Sequence, residues 1–416
     1  MRNLHKKNTV RYYLLIILFL SFLFFSNDFG LTDVQKTAIV MAAGIDREEG
    51  TFIVTSQIAI PQSSKQGKAS EAVQIVSRGK TVGEAFEEIN AKTGWYPKLV
   101  FCDLIVLGES AKTADVFEAL DFFLRDEYLS DNCLIAVCEG SAKALLNTTA
   151  LVDPSSSTAI KKVLSSHAER VGTVLPNTLR EFAIGYFSES KSGYLPVLKT
   201  EPQQEKVGEN DGETQQNNTG GSSGGGSENS SSSSSEQSGG DTQKKSDKPV
   251  FSARQTALFV NGKWVETLKN EETFALAAVL SKLQLATYSL QRNDTSCTLT
   301  VKRNSPKIKL NAGEGDFFSL DIEVKMTSGV LDVSKSQSLE EINDVGDVPK
   351  EFFTLAEKKL AGEIETVYEK CKAVGCDVFG VRERLIKYEK RRLKDRQDTA
   401  FQNTRVQVSV RFENVR

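Results

Sequence analysis

Apolar and polar positions change rhythm several times along the chain. An unbroken apolar run, Tyr12 to Phe25, follows Arg2, Lys6, Lys7 and Arg11. Basic residues ahead of such a run are the layout of a secretory signal or an amino-terminal anchor, with the positive flank kept in the cytoplasm. The run makes roughly 21 Å of helix, short of the roughly 30 Å of a hydrocarbon core. No small-x-small cleavage site follows it, since Ser26-Asn27-Asp28-Phe29 suits a signal peptidase poorly. Residues 1–30 therefore read as a signal or membrane anchor, and as a short uncleaved anchor in preference to a removed peptide.

Beyond the leader the pattern alternates between periods of two and of 3.6. Thr37 to Ile45 and Thr51 to Ile60 predict a hairpin, with Val54, Ser56 and Ile58 set against Thr55 and Gln57. Thr81 with Glu84 three residues on is a capping box, opening a helix with Val82, Ala85, Phe86 and Ile89 on one face. Lys98 to Leu107 predicts a nearly continuous apolar strand. Ala114 to Leu124 predicts a helix with Val116, Leu120, Phe123 and Leu124 inward, and Cys133 to Cys138 a buried strand. These elements define an N-terminal α+β domain over 31–140, its helices packed on a mixed sheet.

A middle domain, 141–290, opens with helices at Ala142–Leu146, Ser157–Ser166 and Thr178–Phe187, then a strand at Tyr194–Leu198. Residues 201–249 interrupt it with a segment poor in apolar residues and rich in Ser, Gly, Gln and Asn, which cannot fold by itself. The strands Thr256–Val260 and Lys263–Thr267 resume around Asn261-Gly262, a strong hairpin signal, and a helix follows over Glu271–Gln284. The low-complexity segment is thus an insertion between two strands of one domain, which loop-closure entropy tolerates because it grows only logarithmically with length. A C-terminal α+β domain, 291–416, has strands at Thr298–Lys302, Pro306–Leu310 and Phe317–Met326, then helices. The helix Pro349–Val374 carries Leu360, Ile364, Val367, Cys371 and Val374 at helical spacing and stops at Gly375. Arg405 to Phe412 alternates as a half-buried antiparallel strand would.

Composition narrows the function. A formal net charge of −3 argues against a general nucleic-acid binder, and no nucleic-acid partner is expected. Six cysteines in 416 residues are too few for a disulfide scaffold, and none has the C-x2-C spacing of a zinc site that His5 or His167 would complete. Cys371 and Cys376 flank a helix stop, where a turn could bring them together, but free buried thiols are the preferred reading. Gly220-Gly221-Ser222-Ser223-Gly224 matches a hydrolase elbow only in letters, because that motif needs a strand before it and a helix after it. Adjacent carboxylates at Glu48-Glu49, Glu87-Glu88 and Glu340-Glu341 point apart, and Ser165-Ser166-His167 lacks an orienting acid. Phosphate-binding glycine loops are missing. No catalytic residue, cofactor or metal ligand is expected.

Two stretches stand out as interaction surfaces. Arg382 to Arg396 holds Arg382, Arg384, Lys387, Lys390, Arg391 and Arg392 against few acids, with Val381, Leu385, Tyr388 and Arg392 on one helical side. Such a face suits anionic lipid headgroups or an acidic partner, although a solvated helix has the same composition. Gly94-Trp95-Tyr96-Pro97 is a turn showing two aromatics, either an interface or a Trp packed beneath a loop.

Several strings, taken in order, resemble one family. They are Ala38-Ile39-Val40 with Gly44-Ile45-Asp46, Ser56-Gln57-Ile58-Ala59-Ile60-Pro61, Leu120 to Asp126, Tyr194-Leu195-Pro196-Val197, Ala257-Leu258-Phe259 with Lys263-Trp264-Val265, and Asp377-Val378-Phe379-Gly380. Together they are similar to the C subunits of bacterial spore nutrient-germinant receptors, the Ger(x)C family. That resemblance implies three mixed α+β domains in an elongated arrangement. It also implies work in a membrane complex with an A subunit and a transporter-like B subunit, with no established catalysis. The family's leader ends in Cys-Trp-Asp-x-Arg-Glu, whereas Asp28 and Phe29 stand at the Cys and Trp positions here and the Arg-Glu pair is absent. No cysteine precedes Cys102, so the family's diacylglycerol anchor cannot form and the apolar leader would replace it. The expected role is a membrane-tethered subunit on the extracytoplasmic face of the spore inner membrane. An extracytoplasmic solute-binding protein, holding its ligand between domains, is the alternative.

Overall fold

The structure, a computed structural model, describes residues 12–21, 37–59, 72–150, 153, 155–165, 172–201, 250–292, 295–313, 317–334, 350–393 and 397–415. Residues 12–21 form a helix, α1, whose side chains from Tyr12 to Leu20 are all exposed. Among the described residues no helix is long and apolar enough to cross a membrane.

The chain then builds two sheets. The first sheet begins with β1 (Thr37–Glu48), β2 (Thr51–Ala59) and β3 (Ala72–Gly79). Helix α2 (Val82–Thr93) leads to β4 (Tyr96–Lys98) and β5 (Leu104–Leu107), and α3 (Phe117–Arg125) leads to β6 (Leu134–Cys138). Helices α4 (Ala142–Asn147) and α5 (Ser156–Val163), the short β7 (Asn177–Thr178) and α6 (Leu179–Phe187) come next. The antiparallel trio β8 (Ser192–Glu201), β9 (Val250–Val260) and β10 (Lys263–Leu268) completes it. The order across this sheet is β10-β9-β8-β6-β5-β1-β2-β3, with β4 on β1 and β7 on β6. The strands that sequence reading divides between an N-terminal and a middle domain thus share one hydrogen-bonded sheet.

Central strands β5 and β6 are buried on both faces and therefore read as continuous apolar runs. Ile105, Leu107, Ile135 and Val137 pack under α2, α3 and α6, while Leu104, Val106, Ala136 and Cys138 pack under α4 and α5. A register shift between Val40 and Ala42 lets Ala38, Val40, Ala43 and Ile45 all face the first of these cores. Thr81 caps α2 as expected, accepting from the Glu84 N–H at 3.1 Å, but the Glu84 carboxylate accepts from Lys80 N at 2.6 Å, one residue outside the usual box. Both hairpins close on two residues with positive φ: Glu49-Gly50 at 48° and 80°, Asn261-Gly262 at 50° and 72°.

The second sheet has the order β11-β12-β13-β14: β11 (Ala286–Arg292), β12 (Thr295–Ala312), β13 (Phe318–Ser334) and β14 (Thr404–Asn414). Helix α8 (Lys350–Ala373) covers one face of it with Phe352, Ala356, Leu360, Ile364, Val367 and Cys371, and Gly375 follows at φ 75°. Helices α9 (Val381–Leu393) and α10 (Gln397–Asn403) bring the chain to β14. Between the two sheets lies α7 (Asn270–Val279), whose run from Thr273 to Val279 is buried on every side. A helix apolar all round belongs inside a protein. Its core joins Leu258 and Leu268 of the first sheet to Leu299, Leu320 and Leu360 of the second unit.

Three expectations need correction. The last strand is parallel to β13, with Phe318 opposite Thr404 and Ser328 opposite Asn414, because intervening helices carry the chain back before it pairs. The strand expected over Lys98–Leu107 is broken by a turn at 99–103, which leaves Val100 and Phe101 exposed. The two strands expected at Thr298–Lys302 and Pro306–Leu310 are one: Pro306 stands opposite Val324 in the β12–β13 ladder, past Val301, where β11 stops pairing and β12 becomes an edge of the sheet that tolerates a proline. The mixed α+β class stands as read.

Candidate interaction surface

Most strings singled out in the sequence serve the architecture. Asp46 leaves the end of β1 and caps α4: its carboxylate accepts from Ser141 Oγ at 2.8 Å, Ala142 N at 2.8 Å and Lys143 N at 3.0 Å. A carboxylate there satisfies orphan N–H groups and meets the positive end of the helix. Gly44 permits the approach, because a Cβ on it would stand 2.8 Å from Leu146 Cδ1 and 3.2 Å from Ala142 Cβ. Gly108 does the same just after β5, where a Cβ would overlap the Asp46 carboxylate itself. Gln57 reaches from β2 to α5, donating to Ser156 Oγ at 3.2 Å and accepting from Ser157 N at 3.1 Å.

Asp377 plays the Asp46 role for α9 at the junction of the two units. It accepts from Val381 N at 2.8 Å and Arg382 N at 2.6 Å, and its own N–H donates to Ser192 Oγ of β8 at 2.9 Å. Burial pushes its carboxyl above the usual range, and the two backbone donors offset only part of that. Beside it the Cys376 thiol donates to the Phe259 carbonyl at 3.4 Å, and burial pushes it up to about 12. All six cysteines are free and buried, and the Cys371 thiol is also raised by burial, so neither is primed as a nucleophile.

The structure divides the basic residues of α9. Arg382 is engaged internally: Nε donates to Asp398 at 2.8 Å, an Nη donates to the Gly375 carbonyl at 3.2 Å, and the guanidinium lies 4.3 Å over Phe401. Arg384 donates to the Phe379 and Gly380 carbonyls at 2.6 and 2.8 Å. Both close the start of the helix onto the protein. Lys387 is exposed. Lys390, Arg391 and Arg392 continue the helix, and their side chains lie outside the described residues. Val381 and Leu385 are buried as expected of an inward side, but Tyr388 is exposed, because that side leaves the core after one turn.

The aromatic turn is on the surface. Gly94 ends α2 in the left-handed region, and Trp95 and Tyr96 follow, 41% and 52% exposed. Tyr96 pairs with Thr37, the first residue of β1. The structure adds Val100 and Phe101 from the 99–103 turn, and Tyr128 from the loop before β6, to the same end of the sheet. Sequence reading missed Val100 and Phe101 because 98–107 looks like a buried strand, and Tyr128 because a lone loop aromatic carries no local signal. Phe101 also borders a cleft of about 410 Å³ between Ile39, Met41 and Leu104, rimmed by the ion pair of Asp103 with Lys161.

Candidate chemistry does not assemble around any of these. Glu88 is tied to Lys92 at 3.0 Å, and Ser165 Oγ donates to the Lys162 carbonyl at 2.7 Å. His167 and Glu340-Glu341 lie outside the described residues, as do Asp28 and Phe29. Among the described residues no group of His, Cys, Asp and Glu is arranged to hold a metal ion.

Comparison with known proteins bears on the whole chain. Residues 31–200 match the spore germination protein N-terminal domain, and 254–416 match the spore germination B3/GerAC-like C-terminal domain. No curated protein gives a significant match. The crystal structure of the GerBC protein superposes with a TM-score of 0.51 over 90% of this chain and 97% of its own, at 16% identity, a likeness of fold. The two family domains flank the low-complexity insertion and between them account for most of the sequence, so the chain belongs to the GerAC family of spore germination receptor C subunits.

Proposed function

We propose that the protein is a non-catalytic C subunit of a nutrient-germinant receptor, tethered by its apolar leader to the spore inner membrane. It stands on the extracytoplasmic face and is needed for the assembly and signalling of a complex with A and B subunits. The observation that carries this is the order of features along one chain: an exposed apolar helix, then both family domains in sequence. The basic stretch of α9 from the exposed Lys387 through Lys390, Arg391 and Arg392 is the proposed contact for an acidic surface, whether subunit or lipid headgroup. A solute-binding protein with its ligand between domains gains no support from the junction, which α7 fills.

Deleting the gene in its own host tests the reading. Spores are exposed to nutrient triggers and, separately, to calcium dipicolinate, which bypasses nutrient receptors. The expected result is loss of the response to at least one nutrient class with the bypass intact. Normal germination with every nutrient, in a strain without a second copy of the receptor, would count against the proposal.

A further inference from the structure

The start of β1 is where the folded protein meets its leader, and that end of the first sheet carries an unusual concentration of exposed apolar side chains. Val73, Trp95, Tyr96, Val100, Phe101 and Tyr128 are each at least 41% exposed. They come from four separate segments, and topology brings them together. Tyr96 is opposite Thr37; the 99–103 turn and the Tyr128 loop precede the parallel strands β5 and β6; Val73 opens β3 opposite Ile58, near the end of β2. Trp95, Val73, Ala38 and Ile58 line a shared apolar cleft of about 210 Å³. Single exposed apolar residues are ordinary, but a clustered set marks an interaction site.

Chain continuity says what that site meets. Only residues 26–36 separate the apolar run from Thr37, a tether of at most about 40 Å when fully extended. The first strand is itself about 40 Å long, so the start of β1 is the part of the fold nearest a leader held in a bilayer, and the far end reaches the membrane only if the tether is fully extended back along the strand. Trp and Tyr are the side chains that settle at the headgroup level. Lys98 lies 5.4 Å over the Tyr128 ring, but Asp126 and Glu127 share that loop, so the face has no basic excess. Its attraction to lipid is apolar rather than electrostatic.

We infer that Trp95, Tyr96, Val100, Phe101 and Tyr128 form a membrane-seating face, which lies in the headgroup region of the bilayer holding the leader. This rests on the membrane tether of the proposed function and adds an orientation, with the sheet end at β1 down and the β1–β2 turn outward. Bound this way the face fixes the angle at which the remaining surfaces meet neighbouring subunits.

The chain has two tryptophans, and Trp264 is 6% exposed with its indole N–H bonded to the Glu266 carbonyl at 3.0 Å. A Trp264→Phe variant of the full chain therefore leaves Trp95 as the sole indole reporter. It is reconstituted into vesicles of uncharged phosphatidylcholine, with and without brominated acyl chains, and the carbonate-resistant fraction is measured. The expected result is a blue-shifted Trp95 emission, shielded from aqueous iodide and lost on bromination, with the effect unchanged by high salt. Replacing Phe101 and Tyr128 together with Ser should restore iodide access while the chain stays carbonate-resistant. Trp95 open to iodide and indifferent to brominated lipid in the retained fraction overturns the face but leaves the tether standing. Shielding from iodide without bromine quenching points to a second protein copy on the face and overturns it too. Chain released by carbonate, with Trp95 open to iodide, removes tether and face together.

Discussion

Asp46 lies near the end of β1 and Gly108 just past the end of β5, and the space between them admits no further atom. A Cβ at 108 would sit on the carboxylate that caps α4. Gly108→Ala is therefore expected to evict Asp46 from the helix end and to cost about 2 kcal/mol, as does Asp46→Ala directly. Urea denaturation of the single and double variants checks this. In the double variant the second substitution should be nearly free, because the group it displaces is already gone; full additivity would refute the link. The glycine and the aspartate of Gly44-Ile45-Asp46 were visible as a string, but nothing in the string says that a helix almost a hundred residues later rests on both. Sequence reading likewise listed Arg382 and Arg384 with the surface cations, since composition does not record which carbonyls a guanidinium will find.

At the scale of elements, α9 shows two roles along one helix. Its first turn is fixed by Asp377 and by Arg382 and Arg384, whereas Lys387, two turns on, is exposed. In a chain without residues 1–30, reversing Lys387, Lys390, Arg391 and Arg392 to Glu should leave the melting temperature nearly unchanged and remove the salt-sensitive part of binding to vesicles rich in anionic lipid or to the purified partner subunits. Arg382→Ala should do the opposite, lowering stability by about 1–3 kcal/mol through three lost contacts while binding persists. Calorimetry and vesicle co-sedimentation read the two arms; retained salt-sensitive binding by the fourfold reversal would remove the interaction role. Helices α2 and α8 were legible because caps and apolar spacing are local. The pairing direction of β14 was not, because alternation is the same in parallel and antiparallel strands.

For the molecule as a whole, the pairing of β8 with β9 puts Glu201 opposite Val250, so residues 202–249 leave and rejoin the fold at neighbouring positions. Replacing 202–249 by a short Asn-Gly-containing turn should close the hairpin and keep the fold. Stability should be unchanged or raised by up to about 2 kcal/mol, from the smaller closure entropy of a loop several doublings shorter. Thermal melting of the full chain and the shortened one checks it, and a melting temperature lowered by the replacement would mean the insertion contributes contacts of its own. The two sheets are also expected to melt together, since the Thr273–Val279 run of α7 has no face left for water and its burial needs both units.

Sequence by itself determined what is local or cumulative: the apolar leader, the capped helices, the Asn-Gly hairpin, the insertion, the α+β class and, through an ordered set of short strings, the family. These follow from propensity, period and composition, which each segment carries with it. Tertiary structure alone decided which segments meet. It set Asp46 under α4 and Asp377 against Ser192, turned the last strand parallel, and ran one sheet through a boundary drawn between domains. It also gathered Trp95, Phe101 and Tyr128 at the foot of β1. Contacts between residues distant in sequence depend on packing and strand order, and no local pattern encodes either.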